Sequence, residues 1–276
     1  MIKDDYQYIE THLEGSVVRI NLNRPEQHNA LIPEFISELD RAMDEIASMQ
    51  EVLFVVLSGN GRSFCAGADL NWFAGSDERS PEQNAAQYKM LADVMLKLFQ
   101  LPQITIAAVH GNVFGGGIGL MAICDFVLAE PNTRFMFSEV KLGLLPATIL
   151  PFVAKRLSIQ NLRKWILTGC FFTAPEAHQV GLVDILTDEG LLETSLNAFM
   201  ASFETASPSA IRKAKAMINQ VASGEIDIHD TGVTSIILAK ALLSPEGQEG
   251  VKAFLETRKP EWGKPYPQPF SKGEGS

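Results

Sequence analysis

The 276-residue chain is poor in cysteine and in positive charge. Its cysteines are Cys65, Cys124 and Cys170, an odd number with no CxxC pair and no metal-ligand spacing. That pattern excludes a disulfide framework and a zinc-finger type of metal site, and implies buried thiols in a reducing compartment. Lys and Arg number 23 against 33 Asp and Glu, a net charge of −10. Nonspecific nucleic-acid binding relies on cations that neutralise phosphates, so this balance argues against it. An anionic small ligand would need a local basic patch. No apolar run reaches the roughly 20 residues that span a bilayer, and no membrane association is expected. The opening stretch, Met1 to Tyr6, lacks an apolar core of the kind found in secretion leaders, so the expected location is cytoplasmic.

What the chain does have is apolar residue, at 46%, enough for a large core. Val18, Ile20 and Leu22 alternate, which predicts a strand over 16–22. Pro33 opens a helix whose stripe is Phe35, Leu39, Met43 and Ile46. Leu53–Leu57 and Ile104–Val109 are short continuous apolar runs, hence buried strands. A helix over 82–100 turns Tyr88, Leu91, Val94 or Met95, and Leu98 inward. Phe126–Ala129 and Phe135–Phe137 continue the pattern. After Asp188 only helices are expected, over 191–206, 208–221, 230–243 and 245–258. The expected organisation is an α/β core over 1–190, a helical region over 191–270 and a flexible tail over 271–276.

Two loops and one carboxylate carry the chemistry. The first loop is Ser63-Phe64-Cys65-Ala66-Gly67-Ala68-Asp69-Leu70, and the second is Gly115-Gly116-Gly117-Ile118-Gly119-Leu120. Each follows a strand-like run and can aim main-chain N–H groups at one oxygen, which is what an oxyanion hole requires. Glu139 lies between Phe137 and Val140, where apolar neighbours would raise its pKa and suit it to proton transfer.

These residues resemble the crotonase (enoyl-CoA hydratase/isomerase) superfamily. The resemblance runs in order through Asn23-Arg24-Pro25, Asn29-Ala30-Leu31, Ala66 to Asp69, Ala107 to Gly111, the triple glycine at 115–117, Cys124-Asp125 and Gly181-Leu182-Val183. It ends near Phe254 to Lys259, and so covers nearly the whole chain. It implies a spiral of repeated ββα units with a C-terminal helical region that packs trimers or hexamers. It also implies an acyl-CoA thioester substrate, with coenzyme A as part of that substrate and neither a separate cofactor nor a metal. The N–H groups of Ala68 and Gly116 would hold the thioester oxygen and Glu139 would move the proton. Ala66, Asp69, Leu70, Asn71, Gly117 and Gly119 would line the substrate path, with Asp69 mainly bracing its loop. Trp72 would either wall the acyl pocket or fill core, and Arg258 and Lys259 are candidates for meeting CoA phosphates.

Gly119 departs from the family's two-glutamate hydratases, which carry their other catalytic glutamate at this position. The expectation is that substrate, or a polar group from elsewhere, occupies the space so left. A second departure is Pro146-Ala147-Thr148, where those hydratases are glycine-rich. Together the departures look most like bacterial methylglutaconyl-CoA hydratases. The leading expectation is hydration of 3-methylglutaconyl-CoA or a related branched glutaconyl-CoA. Double-bond isomerisation through the single glutamate, a decarboxylase and a catalytically inactive binding protein are the alternatives.

Overall fold

Strands buried on both faces organise the protein, and their side chains explain why. The computed structural model describes residues 5–262. In chain order the elements are β1 (Ile9–Glu14), β2 (Val17–Leu22), α1 (Pro33–Ala47), β3 (Phe54–Gly59), α2 (Leu70–Phe73), α3 (Pro81–Gln100), β4 (Ile104–Val109), β5 (Asn112–Phe114) and α4 (Gly116–Ala122). There follow β6 (Phe126–Ala129), β7 (Arg134–Met136), α5 (Leu150–Val153), α6 (Ile159–Thr168), β8 (Phe172–Thr173), α7 (Ala174–Gln179) and β9 (Ile185–Leu186). The chain continues through α8 (Leu192–Ala201), α9 (Pro208–Ser223), α10 (Thr231–Leu242) and α11 (Pro245–Leu255).

The larger sheet has the order β1-β2-β3-β4-β6-β9, and the smaller one β5-β7-β8. β1 is antiparallel to β2, and every later pairing in the larger sheet is parallel. β4 and β6 each send the chain into the smaller sheet, as β5 and β7. Cys65, after β3, bridges to Val113 in the same way. Successive turns thus stack strand upon strand in two sheets, the ββα spiral.

Alternate residues of β3 and β4 serve two cores, which is why both strands read as unbroken apolar runs. Val55, Leu57, Ala107 and Val109 pack inward on α1 and α3. Phe54, Val56, Ile104, Ile106 and Ala108 pack outward on Leu196 and Met200 of α8. Each of the Val, Leu, Ile and Phe side chains contributes about 1.5–3 kcal/mol when fully buried. α3 begins at a capping box made by Ser80 and Gln83, directly before Pro81.

Some expectations change. β1 went unread because only Ile9 is buried along it; an edge strand with polar faces carries little apolar signal. α8 stops at Ala201, where Phe199 and Phe203 turn in to stack edge-on against Phe126. Cys170 is exposed, not buried, because left-handed Gly169 ends α6 and turns the next residue outward. Four helices follow Asp188 among the described residues, as expected, although α8 and α11 end short of 206 and 258. The tail over 271–276, and the expected helical region beyond 262, lie outside the described residues.

Candidate active site

The first loop is held at both ends of Ala68. Leu31 donates its N–H to the Gly67 carbonyl at 2.7 Å, and Asp69 donates to the Leu31 carbonyl at 2.9 Å. These bonds leave the N–H of Ala68 between them undonated among the described residues. The early motif residues brace this loop. Arg24 donates to Asp69 Oδ2 at 2.7 Å, and Asp69 Oδ1 accepts from the Asn71 N–H. Burial pushes the Asp69 carboxyl up, but the Asn71 N–H and the Arg24 guanidinium outweigh it, so its pKa is lowered. Fully buried Asn29 donates to the carbonyls of Asn60, Ser63 and Phe64 and accepts from the Arg24 N–H.

The second loop meets the first edge to edge. Gly67 has φ +91°, and a Cβ there would stand 2.9 Å from the Phe114 carbonyl oxygen and 3.4 Å from Gly116 N. Only glycine permits both the dihedral and the approach. Gly116 is the first residue of α4, so its N–H has no intrahelical acceptor, and none is found elsewhere among the described residues. Ala68 N lies 3.9 Å from the point where a Gly116 Cβ would stand. Two free amides therefore lie side by side, one of them at the positive end of a helix.

Glu139 begins a 3-10 turn, Glu139–Leu142, just after β7. A Cβ on Gly115 would come 3.0 Å from Glu139 Oε1, so the carboxylate sits directly against the glycine loop. Its Oε2 is buried and has no hydrogen-bond partner. Burial raises its pKa above the ordinary 4.5, outweighing the lowering effect of its own backbone N–H.

These groups open on a cavity of about 530 Å³. Ala66, Gly67, Ala68, Gly115, Gly116 and Glu139 form one side. The rest of the lining is mostly apolar, with Trp72, Tyr88, Leu91, Met136, Leu145 and Ile149. Trp72 both lines the cavity and is buried, its indole N–H donated to Gln87 at 3.1 Å. The arrangement can hold an oxyanion at two amides and exchange a proton with a carbon beside it.

Sequence-based candidates divide at this cavity. Ala66, Ala68, Leu70, Gly116 and Glu139 line it. Asp69, Asn71, Gly117 and Gly119 do not. Asp69 and Asn71 are bonded to each other, and Gly117 is required because a Cβ would lie 2.4 Å from the Cys65 carbonyl oxygen. Gly119 overturns the expectation of a polar or substrate-filled space. A Cβ there would meet Ile149 Cγ2 at 2.4 Å and Met95 Cε at 2.8 Å, so two apolar side chains plug the position. Arg258 is paired with Glu249 at 2.6 Å and Glu256 at 2.7 Å. Lys141, Met136, Ser138 and Thr148 line the cavity but were missed. Lys141 was legible only as a residue two places after Glu139 in the same turn.

The sequence pattern of the family described as enoyl-CoA hydratase/isomerase matches residues 12–265. The chain belongs to the enoyl-CoA hydratase/isomerase family. The 2,3-dehydroadipyl-CoA hydratase of Escherichia coli (strain K12) is 32% identical over 253 residues, 89% of this chain and 94% of that protein. A crystal structure of an enoyl-CoA hydratase from Shewanella pealeana superposes with TM-score 0.89 at 32% identity, covering 95% of this chain and 98% of that one. Pseudomonas aeruginosa AtuE gives TM-score 0.88 at 30% identity, covering 92% and 98%. This family member is thus an enoyl-CoA hydratase-type enzyme with the crotonase-like fold. Among its described residues no group of three or more His, Cys, Asp or Glu side chains could hold a metal ion. None of the described helices is long and apolar enough to cross a membrane.

Proposed function

We propose that the enzyme adds water to a 2-enoyl-CoA thioester, with Glu139 as its only acid/base. The carrying observation is the buried, unpartnered Glu139 oxygen set against two free amides. Ala68 and Gly116 donate their N–H groups to the thioester oxygen as electron density moves onto it. Glu139 takes a proton from water as the oxygen attacks the β-carbon, then returns a proton to the α-carbon of the enolate. Oxyanion donors of this kind contribute about 3–4 kcal/mol each to such a step. Coenzyme A enters as part of the substrate, and no separate cofactor has a role.

The preferred substrate is 3-methylglutaconyl-CoA or a related branched glutaconyl-CoA. The apolar lining suits a branch methyl. A relative named for 2,3-dehydroadipyl-CoA, another acyl chain ending in a carboxylate, supports the same class. Exposed Ile236, Leu238 and Phe254 on α10 and α11 support association into trimers or hexamers.

One observation favours a second reading. The Ile149–Met95 plug removes the usual second holder of water, and a lone carboxylate is sufficient to shift a proton between carbons in an isomerase. Mass analysis of products from a panel of enoyl-CoA esters separates the readings. Hydration adds the mass of water, isomerisation leaves the mass unchanged, and loss of carbon dioxide marks a decarboxylase. An unchanged mass with a moved double bond on every ester would overturn the hydratase reading, and no turnover on any ester would overturn both.

A further inference from the structure

Lys141 is the one cation on the described cavity wall. Its ammonium lies 3.8 Å from Sδ of Met136, another lining residue, and 5.8 Å from the centre of the Phe171 ring. Its methylene stem packs over Gly169, where a Cβ would meet Lys141 Cε at 3.0 Å and Cγ at 3.1 Å. Among the described residues no carboxylate pairs with it. Arg134 stands over the same Phe171 ring at 4.3 Å and likewise makes no ion pair there. In a chain with a net charge of −10, these two cations flank one ring and add a local positive field.

We propose that Lys141, aided by the Arg134 charge across Phe171, reads a carboxylate at the distal end of the acyl chain and so sets substrate class. This rests on the hydratase reading above. The anion could come from two places, the acyl chain or the CoA phosphates. Position favours the acyl chain. Lys141 belongs to the same 3-10 turn as Glu139, which marks the reacting carbons. A glutaconyl carboxylate lies two carbons beyond the β-carbon, whereas the CoA phosphates lie a full pantetheine arm away. The stem packed over Gly169 and the Phe171 ring hold the ammonium at the exposed rim of the cavity.

The test compares kcat/KM for 3-methylglutaconyl-CoA and crotonyl-CoA in wild type, Lys141→Met and Lys141→Arg. Wild type should prefer the acidic ester. Lys141→Met should lower the acidic-to-neutral ratio about tenfold to a hundredfold, the range for a hydrogen bond to a charged group. Lys141→Arg should keep most of the ratio. Equal losses on both esters would assign the cation to CoA phosphates and overturn the proposal. A wild type that prefers the acidic ester, with the preference intact in Lys141→Met, overturns the Lys141 assignment alone. A wild type with no preference overturns the acidic-substrate reading together with it.

Discussion

The loop carrying Asp69 and the turn carrying Glu139 each bury a carboxyl group, and they treat it in opposite ways. Burial pushes both pKa values up. At Asp69 a backbone N–H and a guanidinium win, and the group is held ionised. At Glu139 nothing but its own backbone N–H opposes burial, and the group is held toward its neutral form. A satisfied carboxylate is a strut. An unsatisfied one that faces a cavity is available to a substrate. The same contrast explains why Asp125, which accepts from Thr105 N at 2.7 Å and pairs with Lys215 at 2.6 Å, also serves structure.

The largest effect should come from removing the unsatisfied group. Glu139→Gln should lower turnover about a hundred- to ten-thousand-fold, the span of general acid/base contributions, while circular dichroism and CoA binding stay unchanged. Steady-state rates on crotonyl-CoA check this, and near-normal turnover would remove Glu139 from the chemistry. Gly116→Pro is the next largest. Gly116 occupies the first helical position of α4, where proline fits a helix, yet its N–H is lost. A loss of about a hundred- to a thousandfold in kcat is expected in a folded variant.

Changes to the strut should act on stability first. Arg24→Ala strips Asp69 of its cation and the Ala30 carbonyl of its donor. We expect about 1–3 kcal/mol of destabilisation in chemical denaturation, the cost of leaving buried polar groups unpaired. Gly119→Glu belongs here too, because it must drive into Ile149 and Met95. Overpacking of this kind costs about 1–3 kcal/mol, and a companion Ile149→Ala should recover part of it.

The smallest effects are in pH dependence, and they have opposite signs. Glu139 has a raised pKa, so the unfolded state ionises first as pH rises. Wild type should therefore lose stability relative to Glu139→Gln as pH climbs from the ordinary 4.5 through the raised value, and the two should converge below it. Asp69 has a lowered pKa. Its advantage over Asp69→Asn should be present above the ordinary 3.8 and fade as pH falls through the lowered value. Thermal melts across this pH range would show both trends.

The sequence made the fold legible wherever burial was one-sided or complete. The α1 stripe and the unbroken runs of β3 and β4 follow directly from what those residues pack against. Polar β1 and the two-residue strands β8 and β9 gave no period to read. In the site, the glycine loops and Glu139 were visible because their chemistry is local. The plug at Gly119 was not, since Met95 and Ile149 come from α3 and from the segment before α5, far apart in the chain. The sequence assigns that space to substrate or a polar group, and two apolar side chains fill it instead. Arg24 and Asn29 were visible as motif residues, but their role as braces appears only when the loop folds over them.

The most direct test is exchange of the α-proton of butyryl-CoA in heavy water, followed by mass spectrometry in wild type and Glu139→Gln. Butyryl-CoA has no double bond, so the assay isolates enolate formation from water addition. Wild type should incorporate deuterium at the α-carbon, and Glu139→Gln should do so about a hundred- to ten-thousand-fold more slowly with butyryl-CoA binding unchanged. Equal exchange in the two proteins would contradict the assignment of the proton to Glu139.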